Sequence, residues 1–422
     1  MNARTCQLFR LAVAALALAF ATAAWSQDIE TVLYTFDGAH GSYPTTLIED
    51  AAGNLYGVTL FGGNSACNGG CGVIFKLSNS TGHWIETVIH SFTGGTDGYE
   101  PRAIVIDPQG NIFGVASAGG SGGLGVAFKM TPLPVGSWGF KVLHSFPSSS
   151  SDGVDPINLI LDKSGNVYGV AQGGGTKGCN GFGCGTVFEL SPTKIGPWKE
   201  TVLHRFAGPP SDGRDPNALA FDSDGNLYGL TPIGGAGCTT SNSPGCGTVF
   251  QLSPSSSGWT EKILHSFNAS DGSSPYNLII YPAGNLFGVT FQGGNLNDCG
   301  EYGCGVVFQL SQTAGTWTET TIHQMTSTID GEFLQNIAID SAGNLYSASS
   351  GGGPSDWGTV FELSPESGGI WNETILFGFP SSTDGEGPNA ILVDSSGKIY
   401  GTTYTGGDKA SGGDGVVFEL SE

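Results

Sequence analysis

The sequence predicts an all-β protein, a seven-bladed β-propeller of four-stranded antiparallel blades. Three observations predict it. A short motif recurs seven times along almost the whole chain. Each recurrence carries four strand-like runs joined by turn residues, and the two chain ends hold complementary parts of one unit.

The motif is clearest at Asn54-Leu-Tyr-Gly-Val. It returns at Asn111, Asn166, Asn226, Asn285 and Asn344, and as Lys398-Ile-Tyr-Gly-Thr, at intervals of 54 to 60 residues. The fourth unit shows the order of parts. Asn217-Ala-Leu-Ala-Phe is a first run, Asp222-Ser-Asp-Gly-Asn226 a tight turn, and Leu227-Tyr-Gly-Leu-Thr231 a second run. A Gly-rich loop leads to Gly247-Thr-Val-Phe-Gln-Leu252, and a loop ending in Gly258-Trp259 leads to Glu261-Lys-Ile-Leu-His-Ser-Phe267. Short β-branched and aromatic runs bounded by turn residues are the mark of strands joined as hairpins. No 3.6-residue periodicity stands out beyond the N-terminal segment, so almost no helix is expected. The runs do not alternate cleanly between apolar and polar, as strands buried on both faces between stacked sheets would not. The strand glycines 57, 114, 169, 229, 288 and 401 are expected to let backbones approach where blades converge on the axis.

The ends fit the same plan. Glu30-Thr-Val-Leu-Tyr-Thr-Phe36 is a fourth-strand motif, and Gly415-Val-Val-Phe-Glu-Leu420 is a third-strand motif with nothing after it but two residues. Pairing one beside the other closes the ring and leaves no open sheet edge.

The spaced set Thr201-Val-Leu-His-Arg-Phe, Asp212-Gly, Asp222-Ser-Asp-Gly-Asn-Leu-Tyr-Gly, Gly234-Gly and Gly247-Thr-Val-Phe-Gln-Leu resembles the GloVer tandem repeat of bacterial exported proteins. The resemblance implies export, and often a C-terminal sorting or anchoring segment. It carries no catalytic residues. The chain stops at Glu422, so release or periplasmic residence is expected rather than surface anchoring.

Residues 1–26 read as a secretory signal peptide: Arg4 and Arg10 precede an apolar run from Leu11 to Ala24, and small residues flank Trp25. Residues 27–422 are then one propeller domain. Removing Arg4 and Arg10 leaves 13 basic against 37 acidic residues, a net charge of −24. That balance opposes nucleic-acid binding and docking on anionic membranes. A secreted or periplasmic protein is expected, with no membrane insertion after cleavage.

Eight cysteines remain, as Cys67/Cys71, Cys179/Cys184, Cys238/Cys246 and Cys299/Cys304. Each pair lies in one loop between second and third strands, and the other units have none. Local disulfides suit an exported chain. Metal ligation is the weaker reading, since a closed zinc site wants four ligands and no His lies nearby in sequence.

Several residue sets recur. Asp50, Asp107, Asp162, Asp222, Asp340 and Asp394 are expected to cap their own Asp-x-x-Gly-Asn turns. The loops entering each blade hold Asp97/Glu100, Asp152/Asp155 and Asp212/Asp215, and in later units Asp271, Asp330 and Asp384, with Glu332 and Glu386 one residue earlier than the second acid. One reading is a repeated Asp-Gly turn before a proline. The other is a carboxylate face that binds a cation, calcium above all, or a polyhydroxylated ligand. His90, His144, His204, His265 and His323 share a fourth-strand position and are expected to be structural, a blade apart from one another. Trp84, Trp138, Trp198, Trp259, Trp317 and Trp371 are expected to pack between blades.

No nucleophile elbow, P-loop or His-Glu-x-x-His occurs. The reading favoured is a non-catalytic binding or scaffold module that recognises an extracellular glycan, cell-wall component or protein through its loop face, with no cofactor. The alternative is an extracellular polysaccharide hydrolase or lyase whose acids are the same paired carboxylates.

Overall fold

Each Asp-x-x-Gly-Asn segment folds as a turn held by its own aspartate. Asp222 Oδ1 accepts from the backbone N–H groups of Asp224 and Asn226, and Oδ2 accepts from the Asn226 side chain. The same bonds recur at Asp50, Asp107, Asp162 and Asp340, and the backbone pair recurs at Asp394. Every such turn joins the first strand of a unit to the second and fixes their register.

The computed structural model describes residues 28–421 apart from 81, 148–151, 241–242, 282–283 and 408–412. The expected signal peptide lies outside the described residues. The chain forms seven four-stranded antiparallel sheets, six of them meanders in sequence order and the seventh completed by the N-terminal strand. Blade 1 contains Ser42–Glu49, Leu55–Phe61, Val73–Ser80 and His83–Ser91; blade 4 contains Ala218–Phe221, Leu227–Thr231, Thr248–Ser255 and Gly258–Ser266. Blade 7 takes Glu386–Val393, Ile399–Thr405 and Val416–Ser421 from the C-terminal end and Ile29–Thr35 from the N-terminal end. Ile29 pairs with Ser421 and Thr35 with Val416. Helical structure among the described residues is limited to three short 3-10 turns.

The core is a set of seven clusters, one per seam between neighbouring blades. In every blade but the sixth, a third-strand Phe stands opposite a second-strand glycine, as Phe75 opposite Gly57, Phe128 opposite Gly114 and Phe250 opposite Gly229; in the sixth Phe361 stands opposite Ser347. A Cβ on Gly229 would lie 2.3 Å from Phe250 Cζ. These glycines make room for an aromatic ring of their own blade and also, as the sequence suggested, for close backbone approach, here of their own blade's first strand: a Cβ on Gly57 would lie 2.4 Å from Thr46 O and one on Gly229 2.6 Å from Ala218 O. A second Phe, from the end of the preceding blade's fourth strand, meets that ring edge-on, as Phe206 meets Phe250 at 5.1 Å and 68°. The tryptophans pack across the seams on second-strand aromatics: Trp138 on Tyr56, Trp259 on Tyr168, Trp317 on Tyr228 and Trp371 on Phe287.

The start of every first strand repeats an unusual backbone. Tyr43, Glu100, Asp155, Asp215, Ser274 and Phe333 all have φ between 53° and 66°, and Gly387 occupies the seventh equivalent place. A side-chain-bearing residue in this region costs about 1 kcal/mol or more. The compensation is visible. Each N–H reaches back to the preceding blade, donating to the carbonyl of Asp414, Cys71, Leu124, Cys184, Cys246, Cys304 or Trp357 at 2.9–3.2 Å. Seven equivalent bonds thus stitch the ring together around its axis.

Candidate functional site

The seven first strands surround a central cavity of about 510 Å³. Its wall is built by the residue two positions beyond the strained one. Round the ring these are Thr45, Arg102, Ile157, Asn217, Tyr276, Gln335 and Asn389. The contrast with the rest of the unit is sharp. The third-strand aromatic position is Phe in all seven blades, as Phe75, Phe128, Phe188, Phe250, Phe308, Phe361 and Phe418. At the wall position the seven units carry six different residue types, with Asn at two of them.

Polar side chains of this tier and of the residue beside it tie neighbouring first strands to one another. Thr46 donates to Arg102 O at 2.9 Å, Asn158 to Asn217 O at 3.2 Å, Asn217 to Pro275 O at 3.0 Å and Asn389 to Pro44 O at 2.7 Å. Asn217 Oδ1 is buried without a protein partner.

The mouth of the cavity is two-sided. On blades 2 to 4 it is charged. Arg102 Nη2 lies 3.3 Å from Glu100 Oε2, its Nε donates to Ser117 Oγ at 3.2 Å, and Ser117 donates onward to Glu100 at 3.3 Å. Arg214 Nε meets Asp215 Oδ2 at 3.1 Å. Burial raises the Asp155 carboxyl above the usual carboxylate range; Glu100 and Asp215 push the same way, against Arg102 and Ser117. On blades 5 to 7 the mouth is aromatic and amide-rich. Phe291 and Phe333 stack at 4.8 Å and 20°, with Tyr276 beside Phe291 at 6.3 Å. The Tyr404 hydroxyl donates to Gln335 Oε1, and the Gln335 amide donates to Ser350 at 3.2 Å. Tyr276 projects into the opening with 40% of its surface accessible, and burial of its hydroxyl end raises its pKa against the pull of Arg102.

The structure divides the expected carboxylates into two sets. Glu100, Asp155 and Asp215 hold the strained positions at the mouth. Asp97, Asp152, Asp212, Asp271 and Asp330 lie at the blade seams, each facing the histidine of its own blade: His90, His144, His204, His265 and His323, at 3.3, 3.2, 3.7, 3.3 and 2.6 Å. Asp384 has Phe377 at the histidine position and accepts instead from Ser381 at 2.7 Å. Glu332 Oε2 sits 2.9 Å from Cys299 Sγ, and Glu386 borders a second opening with Tyr43 and Asp414.

All four cysteine pairs are bonded as their spacing suggests, with Cα separations of 5.0–5.3 Å. The bonds press against the loop leaving the same blade. A Cβ on Gly94 would meet Cys67 Sγ at 2.7 Å, and one on Gly208 would meet Cys179 Sγ at 2.8 Å.

Sequence reasoning passed over the cavity residues because it searched for what repeats. The available signal was the reverse: the residue after the entering proline, or after Leu334 in the sixth unit, is one of the places where the units disagree.

Among solved structures, the fold is similar to a catalytically inactive virginiamycin B lyase of Staphylococcus aureus, in a structure with quinupristin. The TM-score is 0.56 at 14% identity, over 93% of this chain and 99% of that one. It is also similar to the extracellular domain of the hybrid two component system BT3049 of B. thetaiotaomicron, with a TM-score of 0.52 at 11% identity. That match covers 93% of this chain but 41% of the other, so the chain spans less than half of that protein's length. At these identities the likeness is one of fold. No curated protein sequence matches the chain. The Gloeobacter/Verrucomicrobia repeat matches residues 20–237, 136–300 and 294–422, and the chain belongs to that repeat family.

Proposed function

We propose that the chain is a binding propeller whose central cavity recognises a polyhydroxylated extracellular ligand, a glycan or a glycan-bearing cell-wall component. The observation that carries this reading is the polar and aromatic chemistry that Thr45, Arg102, Ile157, Asn217, Tyr276, Gln335 and Asn389 bring to one cavity from equivalent positions of the seven units. The chemistry of the wall suits a sugar. Amides and hydroxyls pair with ring hydroxyls, the Tyr276–Phe291–Phe333 side offers aromatic faces, and Arg102 offers a fork for a carboxylate or an acetal oxygen.

The test is binding of the mature protein to a panel of polysaccharides and peptidoglycan, with the supernatant assayed for released sugar. Arg102→Ala and Tyr276→Ala should each weaken binding about tenfold or more, equivalent to about 1.4 kcal/mol, with the melting temperature unchanged. Binding that survives both substitutions would overturn the reading. One observation favours an enzyme as the second reading: Asp155 is held toward its protonated form between Glu100 and Asp215. Released product that disappears in Asp155→Asn would put that reading first.

A further inference from the structure

The seams between blades bring together more than a histidine and an aspartate. Five fourth strands also carry a glutamate two residues after their tryptophan, Glu86, Glu200, Glu261, Glu319 and Glu373, and this side chain leans on the preceding blade. His204 and Asp212 of blade 3 meet Glu261 of blade 4. His265 and Asp271 meet Glu319, and His323 and Asp330 meet Glu373. In each trio one nitrogen and two carboxylate oxygens all lie within 4.8 Å of one another.

The blade 3/4 seam is the most telling. His204 Nε2 stands 3.7 Å from Asp212 Oδ2 and 3.5 Å from Glu261 Oε2, beyond the reach of a good hydrogen bond. Both His204 Nε2 and Glu261 Oε1 are buried without a hydrogen-bond partner, a state shared singly by His265 Nε2 and Glu373 Oε1 in the other trios and by His90 Nε2 and Glu200 Oε1 elsewhere. Orphaned buried polar atoms are rare, and two in one trio call for an occupant. The aspartate is held in place independently: its two oxygens accept from the N–H groups of Ala207 and Gly213, both at 2.6 Å. A tetrahedral ion with bonds of about 2.1 Å separates its ligand atoms by about 3.4 Å, which matches the 3.5 and 3.7 Å seen at this seam; at blades 5/6 His323 Nε2 and Asp330 Oδ2 are hydrogen-bonded at 2.6 Å and would part to admit an ion. Two other seams act as internal contrasts, while the blade 2/3 seam keeps all three donor types in His144, Asp152 and Glu200 without the same close grouping. At blades 1/2 Phe140 replaces the glutamate and stacks on His90 at 4.2 Å and 9°. At blades 6/7 Phe377 replaces the histidine. Where one donor is lost, an aromatic ring takes its place.

We propose that the seams at His204–Asp212–Glu261, His265–Asp271–Glu319 and His323–Asp330–Glu373 are divalent transition-metal sites of the zinc class, each clamping one blade to the next. One imidazole and two carboxylates suit such an ion, with water completing the shell. Calcium, which takes six to eight oxygens, finds too few donors here.

The experiment measures zinc bound by the whole mature protein after stripping with EDTA and equilibrium dialysis against zinc, with thermal melts alongside. About three equivalents per chain are expected, and zinc should raise the melting temperature by a few degrees. Glu261→Gln, Glu319→Gln and Glu373→Gln should each remove one equivalent. Glutamine has the shape of a protonated glutamate, so a seam that merely shares a proton would be undisturbed by the change. Less than one equivalent bound by the native protein would overturn the proposal. So would uptake and melting left unchanged by all three single substitutions.

Discussion

Gly229→Ala tests the central packing device of every blade. The new Cβ would lie 2.3 Å from Phe250 Cζ and 2.6 Å from Ala218 O, so the ring must retreat by about 1.5 Å to reach ordinary contact. It has nowhere to go, because Phe206 closes its far side at 5.1 Å. Overpacking of this kind costs about 1–3 kcal/mol. Blade 6 shows how the conflict is relieved naturally. There the glycine is Ser347, opposite Phe361, and the residue at the place of Phe206 is Met325. The serine gains a bond of its own, to Asn336 O at 2.6 Å. Phe206→Met alone should cost about 0.5–1.5 kcal/mol through the lost aromatic pair. The two together should cost less than their sum, with a favourable coupling of about 1 kcal/mol or more. Urea denaturation of the native protein, both single variants and the double variant gives the cycle. Additivity within about 0.5 kcal/mol, or a neutral Gly229→Ala, would refute the ring-displacement account.

Two further outcomes follow from the seams and the closure. Burial, with Asp384 nearby, pushes Glu30 up to about 7, and burial, with Asp37 adding to it against His40, does the same to Glu86. A carboxyl with a raised folded pKa holds a proton that the unfolded chain has released, so these groups favour folding at low pH and lose that contribution as pH climbs from about 4.5 to 7. With EDTA present, the denaturation midpoint should fall over that window, and the fall should shrink in the Glu30→Gln, Glu86→Gln double variant; a midpoint rising with pH, or a slope indifferent to the substitutions, contradicts this. Deleting residues 28–36 should expose the edge of Val416–Ser421, lower the melting temperature and promote association detectable by light scattering, and a peptide of those residues should reverse both effects. A deletion that stays monomeric and melts like the native protein would show that the closing strand is dispensable.

Much of the fold was legible because the evidence for it is local. Asp222 and Gly225 declare their turn within five residues, and Cys179 and Cys184 declare their bond within six. The split seventh blade could be read as well, since each end displays a recognisable part. The glycine role was legible in part: close backbone approach was expected, but the ring that fills the space above Gly229 depends on the cross-strand partner and not on the strand itself. The seam trios were hidden for a stronger reason. His204 and Asp212 lie eight residues apart, but Glu261 joins them only when one sheet is laid on the next. A trace did exist: the histidine precedes the Asp-Gly turn by six to eight residues in five units, and it is Phe377 in a sixth.

Closure through Ile29–Thr35 has a kinetic meaning. Six blades are meanders that need only neighbours in sequence, and they can form in the order in which the chain is laid down. The seventh requires residues from opposite ends, so its strand exchange joins the slowest encounter in folding to the last gap in the ring. Reversal must pass through the same gate. The lifetime of the folded state is then set by how often that one latch opens, whatever the strength of the six blades behind it.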